Sequence, residues 1–415
     1  MKHTYFTRMV IPVIGIAFGF FIGTGCSTLA PQNSTETERT AADRDLQKRL
    51  ARIDSQIADN PENTEAYFQK GEVLSSLAQR QTPPEKRADY YRQMQQALAE
   101  AGILHQNEGN PQGKETVDEL LQVSWSFEHN QGVEILQTDS TLSSTDFSTA
   151  AAHFNNAIII IPDSAISYRM KARALYRDHQ TGQAIQTLEA ARRQIDRLPG
   201  SYLEQLAYLY LENSQHQQAV ELYEEAEAFS DDNLNLLHGL ANAYITSNRH
   251  RSAAQLLARL VENEPENIIY LESYGTELYK LAMQQLDSLR SRDIQDSQAI
   301  QQVKARSDTL MQRAQNQFKK TLQLDPENPE FKQQLAHSYK NYAAKLSQVQ
   351  PLFPEEYQET ISDQIESNLT NAVTLYEELV EQQPDQAGFW ESLYQAYSYL
   401  GMEDQANEAK VKANL

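Results

Sequence analysis

Apolar residues recur along most of this chain at intervals of three and four, the period of one buried helix face. A short phrase built around proline punctuates the runs. It stands at Asn60-Pro61-Glu62-Asn63, Ile161-Pro162-Asp163-Ser164, Glu264-Pro265-Glu266-Asn267, Asp325-Pro326-Glu327-Asn328 and Gln383-Pro384-Asp385-Gln386. Proline cannot continue a helix, and an acid or Asn just beyond it caps the next one. Each phrase therefore predicts a helix–turn–helix junction. Upstream of four of them one spacing repeats: a small residue, a large side chain four places on, a third three further, then the proline. The sets are Ala150, Phe154, Ala157; Ala253, Leu257, Leu260; Ala314, Phe318, Thr321; and Ala372, Tyr376, Leu379. The helices that follow the junctions carry a large–small–large set of their own: Tyr168, Ala172, Leu175; Leu203, Ala207, Tyr210; Leu237, Ala241, Tyr244; Leu271, Gly275, Leu278. Trp390, Tyr394 and Tyr397 repeat it with a bulky middle member. A small residue lets two helices approach, and the ring four places on fills the gap to the next pair.

The repeat unit is regular at Ala184, Ala219 and Ala253, which are 35 and 34 residues apart. Elsewhere it is stretched. The interval from Gly275 to Ala314 keeps Leu281, Leu286, Leu289, Ile300, Val303 and Leu310 among polar residues. It reads either as two prolonged helices forming a projecting hairpin or as a surface loop. Between Ala336 and Ala372, Pro351 and Pro354 break the helix, and Glu355-Glu356 favour the start of the next. The first two repeats, around 75–90 and 126–148, are irregular as well.

These spacings resemble the tetratricopeptide repeat over residues 44–415. The resemblance implies an all-α fold: a helix-turn-helix solenoid of about seven to eight repeats, several with elongated helices, wound as a right-handed superhelix with a concave inner face. It further implies a protein-binding surface on that face, drawn from the first helix of each repeat. The candidates are Arg169, Arg173, Tyr176, Arg177, Tyr208, His238, Asn242, Tyr279, His337 and Lys340. Three arginines on one short helix can grip a partner's carboxylate or C-terminus, or pair within the chain with Glu204 or Glu212. The arrangement of basic residues that clamps carboxylates in some chaperone-binding repeat proteins is not reproduced, because Asn235 and Gly239 occupy its positions.

The N-terminus follows a different pattern. Lys2 and Arg8 precede a stretch from Met9 to Ile22 that is apolar or Gly except for Pro12, and Gly23-Thr24-Gly25 lead to Cys26-Ser27. A charged start, an apolar middle and a small-residue exit make a secretory signal, too short to span a bilayer comfortably as a helix. With the cysteine at its exit it resembles a bacterial lipoprotein signal, although Gly23 stands where that family places Leu, Val or Ile. The resemblance implies acylation (palmitate among the chains) of Cys26 as the mature N-terminus. Ser27, rather than Asp, points to the outer membrane, facing the periplasm. Residues 1–25 are then the signal peptide and 26–43 a lipidated, disordered tether. The solenoid spans 44–415: irregular repeats over 44–162, regular ones over 163–265, long insertions over 266–384 and a terminal repeat over 385–415.

Charge and composition narrow the function. The formal charge is -21, and it falls to -23 once Lys2 and Arg8 leave with the signal. Such a chain repels nucleic acid and anionic lipid surfaces. Cys26 is the only cysteine, so no internal disulfide or cysteine-based metal site forms. There is no HExxH, no phosphate-cradling glycine loop, no serine elbow and no EF-hand spacing, and the nine histidines are scattered. Asp231-Asp232 reads as a turn between repeats. The expectation is a non-enzymatic scaffold without cofactor or metal. It would hold envelope proteins together in an assembly or secretion complex. The alternative is a glycan-type ligand-binding lipoprotein, for which Trp125 is the one unassigned indole and Trp390 sits at a packing position.

Overall fold

The computed structural model describes residues 36–137, 142–227, 233–291 and 296–415. The signal segment, Cys26, the tether up to residue 35 and Asp231-Asp232 lie outside the described residues. Among those described there are seventeen α-helices, two short 3-10 turns and no strand. They fall into two compact units, 36–227 and 233–415. No described helix is long and apolar enough to cross a membrane.

The N-terminal unit contains α1 (Glu36–Asp59), α2 (Thr64–Arg80), α3 (Ala88–Asn107), α4 (Pro111–Gln137), α5 (Ser144–Ile160), α6 (Ala165–Arg177), α7 (Thr181–Gln194), α8 (Gly200–Glu212) and α9 (His216–Glu227). The C-terminal unit contains α10 (Leu234–Thr246), α11 (His250–Asn263), α12 (Ile268–Ser291), α13 (Ser297–Leu324), α14 (Pro329–Val349), α15 (Glu355–Gln382), α16 (Ala387–Tyr399) and α17 (Glu403–Lys412). In both, helices pair as hairpins, and α1 precedes the first pair, α2 with α3.

The proline phrases all fall between a second helix and the next first helix. Asn63, Asn267 and Asn328 cap the following helix through their side-chain oxygens, which accept from the N–H groups of Ala66, Ile269 and Glu330 at 3.1, 3.1 and 3.0 Å. The turn inside a regular repeat closes in one way each time. His179, Ser214, Asn248 and Gly401 adopt left-handed backbone. The N–H of the next residue then reaches back to the carbonyl of Leu175, Tyr210, Tyr244 or Tyr397. All twelve second-helix packing residues, from Ala150 to Leu379, are buried. Gly275 has a steric reason: a Cβ there would lie 2.5 Å from Phe318 Cε1. Gly132, unassigned in the sequence pattern, plays the same part against Phe154.

Two expectations need correction. Helix begins at Glu36, inside the segment read as tether. Leu46, Leu50 and Ile57 pack with Ile53 on α2, and Asp43 pairs with Arg80 at 2.5 Å, which gives this start a tertiary anchor. The insert after Gly275 does form two prolonged helices, α12 of 24 and α13 of 28 residues, but not a hairpin that projects alone. The long hairpin of α14 and α15 lies against it. Lys345 Nζ meets Asp287 at 2.5 Å, and Lys304 Nζ donates to Gln364 Oε1 at 2.6 Å. Mutual cover buries Leu286, Leu289, Ile300, Ile361 and Ile365, residues a lone hairpin would leave wet.

Candidate functional site

Arg169, Arg173, Tyr176, Arg177 and Tyr208 belong to the N-terminal unit; His238, Asn242, Tyr279, His337 and Lys340 belong to the C-terminal unit.

In the N-terminal unit, α6 carries Arg169, Lys171, Arg173 and Arg177 and no acid. Arg169 and Arg177 turn to different neighbours. Arg177 turns toward α4 and α5, its guanidinium 4.8 Å from the Phe147 ring centre and donating to Leu136 O at 3.4 Å. It makes no ion pair with Glu204 or Glu212. Arg169 turns the other way and donates to Gln205 Oε1 at 3.3 Å, with the charge of Glu204 supporting its own. Arg173 lies between them, its pKa lowered by burial and then by Arg177. Tyr176, on the same helix, and Tyr208 meet edge to face, their hydroxyls 2.8 Å apart, and Tyr176 donates to Glu212 at 3.2 Å. A half-buried cation suits an anionic, hydrogen-bonding group.

Trp125, the indole left open for sugar stacking, is occupied. It stacks on His129 with ring centres 4.7 Å apart and donates to Ser167 at 2.9 Å and Ser164 at 3.1 Å. Trp390 donates to Pro384 O at 2.8 Å and lies under Lys412.

In the C-terminal unit, His238 and Asn242 are buried. His238 meets the Tyr270 hydroxyl at 3.3 Å, and burial lowers its pKa. Tyr279 accepts from Asn341 at 3.3 Å. His337 packs beside Tyr376, and burial, then Lys340, push its pKa down to about 4. Lys340 Nζ donates to Ser392 Oγ at 2.9 Å and sits 5.8 Å from the Tyr376 ring centre. Burial lowers its pKa; Glu391 favours its charge from beyond ion-pair distance.

The sequence pattern passed over two glutamates. Glu128 on α4 is 0% exposed and fully satisfied. Arg87 Nη1 and the Tyr91 hydroxyl reach Oε1 at 2.8 and 2.7 Å, and His153 Nδ1 and Asn156 Nδ2 reach Oε2 at 2.7 and 3.2 Å. Burial alone would raise its pKa, but the His153 hydrogen bond and the Arg87 charge outweigh that and hold it below the usual carboxylate range. Glu272 on α12 is 8% exposed. Burial, then the like charge of Glu330 on α14, push its carboxyl up to about 7, against a hydrogen bond from Gln334. Among the described residues no cation stands within ion-pair distance of it. In a linear chain both glutamates look like solvated helix positions. No local signal distinguishes them, because their neighbours come from other helices.

Tetratricopeptide-repeat family profiles match residues 169–233 and 210–272. No curated protein matches the chain. Among solved structures, a tetratricopeptide repeat protein from Parabacteroides merdae is 16% identical (TM-score 0.40; 60% of this chain and 78% of that one). The C-terminal part of a repeat protein from Cytophaga hutchinsonii is 14% identical (TM-score 0.43; 70% and 91%). YrrB, described as a repeat protein with an unusual peptide-binding site, is 16% identical (TM-score 0.39; 58% and 98%). The two profile matches together span residues 169–272, which include the α6 arginines.

Proposed function

We propose that this chain is a non-catalytic, lipid-tethered scaffold of the bacterial envelope that captures protein partners on the first-helix faces of its repeats. The tether is Cys26, and the expected location is the outer membrane, facing the periplasm. The observation that carries the binding reading is α6 itself, which holds Arg169, Lys171, the half-buried Arg173 and Arg177 and no acid, in a chain of charge -21. Such a position favours a partner's carboxylate and disfavours most of the protein's own surface by sign. Arg169 shapes one edge of this patch. Arg177 belongs to the packing beneath it.

The test is capture in living cells with a C-terminal tag and crosslinker, comparing wild type, Cys26→Ala and Arg173→Glu. The expected result is one specific set of envelope proteins, weakened by Cys26→Ala and lost with Arg173→Glu. Capture that survives Arg173→Glu places the surface elsewhere; no specific protein in any sample ends the scaffold reading.

A further inference from the structure

The C-terminal unit holds two opposite charges that do not meet each other. Glu272 lies in the groove between α12 and α14, where Glu330 faces it with the same sign. Gln334, beside it, gives its Nε2 to Thr276 at 3.2 Å, and its buried Oε1 has no partner. Beyond the Gln334 amide, which also donates to Glu272, this groove offers acceptors and, among the described residues, no cation within ion-pair distance of Glu272. Lys340 lies on the other flank of α14, toward α16. It has one hydrogen bond, to Ser392, and among the described residues no carboxylate within ion-pair distance. Glu391 favours this cation's charge, but only from beyond ion-pair distance. A charge drawn from water without an ion-pair partner costs free energy, and here a buried carboxyl and a half-buried ammonium stand on neighbouring first helices.

The geometry points to a two-point binding site for an extended partner segment, with a Lys or Arg side chain entering at Glu272 and an Asp or Glu side chain entering at Lys340. Spacing follows from the helices. Gln334 and Lys340 are six residues apart on α14, which is about 9 Å along its axis. Grooves on either side of one helix are roughly 8–10 Å apart. The two charges therefore stand roughly 13 Å from each other, which an extended chain at about 3.3 Å per residue covers in four residues. Residues i and i+4 of an extended segment point the same way, whereas i and i+1 point apart. The partner thus carries its base and its acid four residues apart. The inference rests on reading first-helix faces as the recognition surface, but it uses residues other than the α6 arginines.

The probes are fluorescein-labelled decapeptides of Gly, Ser and Ala with one Arg and one Glu. These are either four apart, in both orders, or adjacent. All carry the same net charge, so the acidity of the chain attracts them equally. Fluorescence anisotropy with the full chain should show at least one four-apart peptide binding about fivefold or more tighter than its adjacent-charge isomer. Glu272→Gln and Lys340→Met should each remove that advantage. Both replacements keep side-chain volume and delete a charge that burial penalises, so circular dichroism should show both variants folded. Arg173→Glu should leave the advantage intact. Equal binding of all the peptides, or an advantage that survives Glu272→Gln and Lys340→Met, overturns the inference. Loss through Arg173→Glu alone also overturns it and assigns the peptide to α6. The capture experiment above decides the scaffold reading independently of all three.

Discussion

Glu128 and Glu272 are the same residue type, each within a helix and each nearly or wholly out of solvent, one in either unit. Glu128 meets a guanidinium, a phenol, an imidazole and an amide, so its charge is fully answered by α3, α5 and the turn at Pro84–Arg87. Glu272 meets a like charge and one amide. The pKa directions follow: Glu128 goes down despite burial, and Glu272 goes up because of it. Depth therefore does not assign a role. The completed set of partners at Glu128 bolts the irregular helices together. The incomplete set at Glu272 leaves bonding capacity for something outside the chain.

The largest expected effect comes from breaking the completed set. Glu128→Ala leaves Arg87 and His153 without their acceptor and should cost about 3–5 kcal/mol, read as a fall in the denaturant midpoint of the N-terminal unit. A neutral core change sets the scale. Ala253→Leu forces a larger side chain between helices at a fully buried position and should cost roughly 1–3 kcal/mol by the same measurement. Glu272→Gln should do the reverse of Glu128→Ala and stabilise the C-terminal unit at pH 8 by about 1–2 kcal/mol, the shift being discounted for solvent screening. Arg173→Ala, at a half-buried position, should change stability by less than about 0.5 kcal/mol while weakening partner capture.

Acid separates the two glutamates further. The Glu272 pKa is raised, so the folded form binds more protons than the unfolded one between about 4.5 and about 7. Its contribution to stability falls as pH rises through that window. The Glu128 pKa is lowered, so its contribution is complete above the ordinary carboxylate pKa and is lost as pH falls below it. Hydrogen exchange from pH 8 to pH 5 should show α12 and α14 gaining protection. From pH 5 to pH 3, α3, α4 and α5 should lose it. If both regions move together, the contrast between an answered and an unanswered carboxylate is wrong.

Much of the architecture was legible because it is periodic. The small–large–large sets and the proline phrases locate every junction they were assigned to, since close helix approach demands Ala or Gly at the same place in each repeat. Elongation of α12 and α13 was legible from an apolar stripe that continues past the ordinary repeat length. The shelter of that stripe by α14 and α15 was not, because nothing in one hairpin specifies what lies against it. The candidate site was legible only in part. Tyr176 and Tyr208, both first-helix candidates, meet through their hydroxyls. Arg177, four residues from Arg173, faces the Phe147 ring instead, because one helix turn does not set which flank a side chain takes.

By itself, then, the sequence determined a helical repeat: its period, its junctions, its small contact residues and an N-terminal segment with the features of a lipoprotein signal. These depend on interactions over a few residues or on one packing rule applied many times. Only the tertiary structure decided which charges are answered and which are not. A carboxylate's partners arrive from helices tens of residues away, as Arg87 and His153 do for Glu128, and electrostatic free energy depends on those distances, not on order along the chain.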